Sequence, residues 1–322
     1  MNLFASILTN SAPSANYRGE NQNNRMTLQR ITKGRLEYAI ISPEAVRNAL
    51  RETLQRYAPG SHGAIELNRQ RQHNEDQLAV RFNDYPDPAR YADDFLFGYM
   101  VADRKQVPAD VIKARGGFQF KRDSVIRTNM AVALEPYRHD ALLTQSPLTI
   151  KNPAAPWQNA TTSALLNRET SVTAFQYPLA LNLDDCDLSD DAGGNLRRGW
   201  LRSLLRAISE LTDVAGNHAR SYFPMHPASI VIRLTNRLTP DFDLYGYQPD
   251  GSAPDLVGSL LSGGLPGAEF HLAGDLVRTV LTDEHKAALV AQGVTLNERP
   301  ERALNNVAAT ITGAGFLPTS GA

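Results

Sequence analysis

The chain has 322 residues, 42% hydrophobic and 21% charged, with a formal net charge of −1, a composition that suits a globular protein of one large or two small domains. A single cysteine, Cys186, excludes an internal disulfide and a cysteine-based zinc site and fits a reducing cytoplasm. No apolar run approaches the roughly 18–20 residues of a membrane helix, and the N-terminus lacks the basic stretch and apolar core of a signal peptide.

Residues 2–9 predict a strand with Leu3, Ala5 and Ile7 on one face, followed by turn-prone residues 10–13. From Ser14 to the next helix the chain reads as a polar loop, a strap with little reason to fold on its own. Ser42, Pro43 and Glu44 then mark a helix start: a capping hydroxyl, a proline at the first helical position and an acid in the first turn. Val46, Ala49, Leu50, Thr53, Leu54 and Tyr57 give that helix its apolar stripe, and residues 58–60 end it.

Residues 61–124 are polar and broken by Pro86, Pro88 and Pro108, which predicts an inserted subdomain with short helices, one near 88–100. Residues 125–134 and 171–183 read as strands, the second with Pro178 pointing to an edge or a bulge. The stretch 135–170 between them is too long for a hairpin turn and predicts a projecting arm. After Gly193 and Gly194, Asn195 is the expected cap of a second helix with Leu196, Trp200, Leu204, Ile208 and Leu211 on its buried side and Gly216 as its stop. Residues 228–235 form the last clear strand, and 236–322 read as loop-rich, with a glycine-rich stretch at 258–267 and one helix at 283–292. The order predicts an α+β protein with a ferredoxin-like arrangement, the one shared by RNA-recognition modules.

Charge is unevenly spread. Only six of the 33 basic residues are lysine; the rest are arginine, whose planar fork suits bidentate contact with phosphate, although a GC-rich genome gives the same bias. Residues 1–60 hold eight Lys/Arg against four Asp/Glu, while Asp184, Asp185, Asp187, Asp190 and Asp191 form an acidic knot. Opposed patches under a near-neutral total suit self-assembly beside an anionic ligand.

Several groups are candidates for that ligand. Arg47 and Arg51 lie one helical turn apart, a repulsive spacing that RNA phosphates would neutralise; the alternative pairs Arg47 with Glu44 and leaves Arg51 in solvent. Asn16, Tyr17, Arg18, Arg25 and Lys33 populate the strap, which either closes on RNA or a neighbouring subunit or is an ordinary surface loop. Asn217, His218 and Arg220 follow a helix end, where a histidine stacks on a base or caps the last carbonyls. Arg198, Arg202 and Arg206 form a ridge that meets the acidic knot, faces DNA or stays solvated. No HExxH, G-x-S-x-G or phosphate-loop motif occurs, so no catalytic residue, metal ligand or cofactor is expected.

The run Ser14-Ala15-Asn16-Tyr17-Arg18-Gly19-Glu20, followed by Ile41-Ser42-Pro43-Glu44-Ala45-Val46-Arg47-Asn48-Ala49-Leu50-Arg51, resembles the opening of the Cascade backbone subunits of type I CRISPR systems, in particular the DevR subgroup usual in type I-B loci. Arg127-Thr128-Asn129, Gln176-Tyr177 and residues 215–220 fit the same family, and the resemblance covers most of residues 1–235. It implies an RRM-like palm (residues 1–60, 125–136 and 169–240), an inserted helical finger region (61–124), a thumb arm (137–168) and a loop-rich extension (241–322). It also implies a guide-RNA-binding subunit without enzymatic activity, in a prokaryotic cytoplasm and away from any membrane. The implied RNA contacts are Asn16, Tyr17, Arg18, Arg25, Lys33, Ser42, Arg47, Arg51, Asn217, His218 and Arg220, with Leu148, Ile150 and Trp157 as candidates for a thumb wedge between bases. The implied partners are the crRNA, target DNA paired to it, further copies head-to-tail, a subunit capping the 5′ end and a large subunit. A metal-dependent endoribonuclease on the same module is the alternative.

Overall fold

The expected strap is where sequence and structure differ first. The computed structural model describes residues 1–22, 25–57, 65–73, 78–101, 109–114, 121–149, 159–214 and 223–318. After β1 (Asn2–Thr9) come five short strands: β2 (Ala12–Ser14), β3 (Tyr17–Gln22), β4 (Arg25–Leu28), β5 (Arg30–Lys33) and β6 (Leu36–Ile41). Ile31, Thr32, Tyr38, Ile40 and Ile41 are β-branched or aromatic and favour the last two strands. Gly34, at φ +64°, supplies the left-handed residue of the turn between them. The register pairs Lys33 with Leu36 and Arg30 with Ala39.

The first helix forms as its sequence dictates. In α1 (Pro43–Gln55) the Ser42 hydroxyl accepts the Ala45 N–H at 3.2 Å, and Val46, Ala49, Leu50, Thr53 and Leu54 are buried along one side. The inserted region holds β7 (Arg69–His73), β8 (Leu78–Phe82), α2 (Ala92–Phe97), β9 (Tyr99–Met100), α3 (Ala109–Ala114) and β10 (Lys121–Arg122), with β7–β8 and β9–β10 as two small ladders. A short helix does lie within 88–100.

The strand expected at 125–134 is split into β11 (Ile126–Thr128) and β12 (Ala131–Ala133). The expected arm is an antiparallel hairpin of β13 (Asp140–Thr149) and β14 (Asn159–Thr173), and β15 (Phe175–Asn182) returns into the main sheet. Pro178 does not mark an edge, because β15 lies between β1 and the β11–β12 pair. Proline offers no N–H to a ladder, and the irregularity falls on the neighbouring strand, which breaks at residues 129–130 opposite Pro178.

The second helix, α4 (Ala192–Ser209), is capped by Asp191, which accepts the Gly194 N–H at 2.6 Å, and not by Asn195. Gly194 permits this: a Cβ there would sit 1.9 Å from the Ser189 carbonyl oxygen. The helix ends at Ser209, ahead of the expected stop at Gly216, which lies outside the described residues. After β16 (Pro227–Thr235) the chain continues through α5 (Pro254–Leu261), β17 (Phe270–Gly274), α6 (Asp283–Ala291), β18 (Thr295–Asn297) and α7 (Pro300–Thr312). The C-terminal part is therefore regular structure, with the helix expected at 283–292 in place.

The main sheet runs β18-β17-β16-β1-β15-β12-β6-β5, with β11 also on β15, so the protein is α+β. Alternation along β1 separates two cores. Ile7 joins Leu50, Tyr177, Trp200, Leu204 and Leu304 beneath α1, α4 and α7. Leu8 joins Val231, Leu256, Phe270 and Leu289 on the side of α5 and α6. Arg233, 1% exposed, binds Asp241 at 2.9 Å and Glu269 at 2.8 Å and so ties the C-terminal segment to β16.

Candidate nucleic-acid interface

Helix α1 turns its apolar stripe inward, which leaves Arg47 and Arg51 facing the inserted region. Between them and the flanks of α2 lies a cleft of about 1310 Å³, lined also by Arg69, Phe97, Tyr99 and Arg122. Arg47 donates to the Phe97 carbonyl, and the Arg51 guanidinium lies 4.3 Å from the centre of the Phe97 ring. Arg122 donates to the Phe95 carbonyl at 2.6 Å and covers the Phe95 ring at 5.0 Å, while Arg69 lies 5.6 Å from the Phe82 ring. Gly98 makes the approach possible: it turns at φ +64°, and a Cβ would come within 2.3 Å of the Arg122 carbonyl oxygen.

None of these four arginines forms an ion pair among the described residues, and the buried Nε atoms of Arg51 and Arg69 have no hydrogen-bond partner. Burial lowers the Arg51 pKa to about 10, with Arg69 and Arg47 adding to the shift and Asp93 and Asp94 opposing it. Burial likewise lowers Arg47 and Arg122. Glu44, Glu52 and Asp123 also line the cleft but pair with none of the four, and partly desolvated cations held beside aromatic faces and carbonyls without an ion-pair partner form a site that phosphate stabilises.

A second basic cluster gathers at the root of the β13–β14 hairpin, and it is organised differently. Glu169, with no exposed side-chain surface, accepts Arg25 at 2.9 Å and the Leu28 N–H at 3.1 Å and lies 3.5 Å from Arg30. Burial raises its pKa, but the Leu28 N–H and the two arginines outweigh this and hold the carboxyl below its usual value. Arg25 also meets His139 Nε2 at 2.6 Å, and Arg30 stacks on Tyr137 at 4.4 Å and pairs with Glu37 at 2.9 Å.

The expected contact residues thus divide. Arg47 and Arg51 meet in the cleft, with Ser42 at the start of their helix, where its hydroxyl serves the cap. Arg25 is engaged by Glu169. Asn16 is buried and donates to the Ile40 carbonyl at 3.2 Å, and Tyr17 is 6% exposed, its hydroxyl pKa raised by burial. Lys33 is exposed beside the β5–β6 turn. Arg18 and Leu148 lie on β3 and β13, with side chains outside the described set; Asn217, His218, Arg220, Ile150 and Trp157 lie outside the described residues altogether. Sequence reasoning missed Arg69, Arg122 and Phe97. The available signal was Asp93-Asp94-Phe95-Leu96-Phe97-Gly98, an acid-led helical turn closed by glycine.

The arginine ridge of α4 is satisfied within the chain. Arg198 binds Asp190 of the acidic knot at 3.0 Å, as its neighbour Arg197 binds Asp187 at 2.5 Å. Arg206 pairs with Glu210 at 2.9 Å, and Arg202 donates to Thr312 at 3.3 Å. Among the described residues no three His, Cys, Asp or Glu side chains are placed to hold a metal ion, and no helix is long and apolar enough to cross a membrane.

No family model matches the chain. It is 26% identical over 299 residues to the CRISPR-associated protein Cas7/Cst2/DevR of Myxococcus xanthus strain DK1622, an alignment covering 89% of this chain and 90% of that protein. The chain is a Cas7/Cst2/DevR homologue. The relationship seen at residues 14–20 and 41–51 therefore extends beyond residue 235, into the C-terminal part where no motif carried it. A chain of a CRISPR RNA-guided surveillance complex in a pre-nicking state has the same fold, at a TM-score of 0.56 and 13% identity over 97% of this chain and 100% of that one. A second CRISPR RNA-guided surveillance complex chain matches at a TM-score of 0.52 and 14% identity over 96% and 99%.

Proposed function

We propose that this Cas7/Cst2/DevR homologue is a guide-RNA-binding backbone subunit of a CRISPR surveillance complex, type I and I-B-like. It polymerises head-to-tail along the crRNA spacer and breaks no bond itself. The observation that carries this reading is the cleft of four guanidiniums without a carboxylate partner beside the helix that bears the family-like run. The order β16-β1-β15-β11/β12, with α1 and α4 on one face, supports an RRM-like palm. Residues 61–124 are the finger region, 137–168 the thumb and 241–322 an extension packed on the palm.

In this reading Arg47, Arg51, Arg69 and Arg122 neutralise successive phosphates and leave the bases outward for pairing with target DNA. Sequence recognition is then delegated to Watson–Crick pairing, while the protein reads the backbone. Each copy contributes a modest affinity, which repetition along one RNA multiplies. Open head-to-tail contacts leave filament length to the RNA and to the subunits at its ends.

The test is to purify the chain from its host and sequence what it carries. Bound small RNAs of uniform length sharing one repeat-derived end are expected. A chain free of RNA, or an assembly that cleaves a matched RNA and stops doing so with chelator, contradicts the reading and favours the endoribonuclease.

A further inference from the structure

Beneath the cleft lie two carboxylates that phosphate binding does not use. Asp93 and Asp94 open α2, and each is 1% exposed. Asp93 is fully engaged: one oxygen takes the Asn68 N–H and the other the Arg69 N–H, both at 2.8 Å. It fixes the backbone from which Arg69 enters the cleft. Asp94 is engaged on one oxygen only, where Oδ2 accepts Asn68 Nδ2 and the Asp87 N–H, both at 2.8 Å. Its Oδ1 is buried and has no partner.

We propose that Asp94 is a buried counter-charge to the arginine cleft, a residue that touches no ligand and acts through Arg51 to set how strongly the cleft holds a phosphate chain. The inference rests on the reading of the cleft as a phosphate site. Its basis is geometric. A carboxylate needed only to fix the fold would use both oxygens, as Asp93 does, whereas half of Asp94 serves no bond within the protein. The charges that act on it are Asp93 on its own helix, Asp87 in the preceding turn and Arg51 from α1. Arg51 feels both carboxylates as neighbouring charges. Burial raises the Asp94 pKa to about 6; the bonds from Asn68 and Asp87 oppose the shift, and the charges of Asp93 and Asp87 add to it. A phosphate chain entering above Arg51 raises it further, so binding takes up a proton.

The same geometry chooses the variant. In Asp94→Asn the amide oxygen replaces Oδ2 and the NH₂ falls at the unpartnered Oδ1 position. Asp93→Asn would instead set an NH₂ against a backbone N–H, so it is unsuitable as a probe. The experiment measures binding of a single-stranded oligouridylate to the intact chain, with and without Asp94→Asn, at about pH 7.5 and about pH 5.5 at fixed salt. Wild type is expected to bind more tightly at the lower pH. Asp94→Asn should bind about tenfold more tightly than wild type at the higher pH, and the difference between the two should close at the lower pH. Histidine side chains titrate in the same range, so the difference between the two proteins is the readout. Equal affinities at both pH values, or weaker binding by a variant that melts no lower than the wild type, overturns the inference while leaving the phosphate cleft intact. No binding by wild type overturns both.

Discussion

The cleft beside α1 and the cluster at the hairpin root both concentrate arginine, and they differ in a single respect. At the root, Arg25 and Arg30 converge on the buried Glu169, which also takes a backbone N–H, so the charge closes within the chain although Arg30 Nε keeps no hydrogen-bond partner. In the cleft, Arg47, Arg51, Arg69 and Arg122 meet carbonyls and aromatic rings, and the carboxylates that line it, Glu44, Glu52 and Asp123, form no ion pair with them among the described residues. Counting basic residues does not separate the two places. What separates them is whether the fold supplies the anion. Where it does, arginine is part of the architecture; where it does not, the proposed RNA phosphates supply it.

The largest expected effect breaks the first half of this contrast. Glu169→Ala leaves two guanidiniums and the Leu28 N–H without their acceptor and should lower unfolding free energy by about 2–4 kcal/mol, read by denaturant titration. A loss under about 0.5 kcal/mol would make the cluster a surface feature. In the cleft the signs reverse. Arg47→Ala with Arg51→Ala should reduce RNA affinity by tenfold or more, and the log–log salt slope should fall by about 0.7 per lost phosphate contact, with little change in melting. An unchanged slope would remove both residues from the RNA path.

Asp94 gives a smaller effect whose sign follows from its raised pKa. Its contribution to stability is fully present below about pH 4, the unfolded value, and is lost as pH rises through about 6. At neutral pH Asp94→Asn should therefore be more stable than wild type by about 1–2 kcal/mol, a gain that disappears below about pH 4. A constant difference across that range would mean that titration is not its cause. Lys33→Ala should be the smallest, within about 0.5 kcal/mol in stability, because the side chain is exposed beside a tight turn. A larger loss of RNA affinity there would bring the β5–β6 hairpin into the interface.

Sequence was most informative where the determinants are local. Ser42, Pro43, Glu44 and the stripe from Val46 to Leu54 specify α1 within one segment, and the alternation in β1 is as self-contained. It failed where a partner lies far along the chain. Strand β4 pairs with β14, Arg25 opposite Asn167, and the alternation of Met26 and Leu28 over only four residues does not announce that partner. Strands β17 and β18 extend the sheet in segments too short for alternation to show. The cleft was half legible for the same reason: Arg47 and Arg51 share a helix, whereas Arg69 and Arg122 reach it only through the packing of α2, whose acids turn inward and whose phenylalanines support the guanidiniums. Asn16 shows the opposite case, a polar residue in a basic stretch whose amide N–H is taken by the carbonyl of a neighbouring strand.

The most direct test of a guide held in the arginine cleft is a cryo-EM map of the purified assembly that resolves the sugar–phosphate chain. The predicted result is repeated copies with phosphates in contact with Arg47 and Arg51 of each, and with Arg69 and Arg122 on the facing side. Copies whose cleft stands empty while RNA runs elsewhere, or a single copy that carries no RNA, would contradict it.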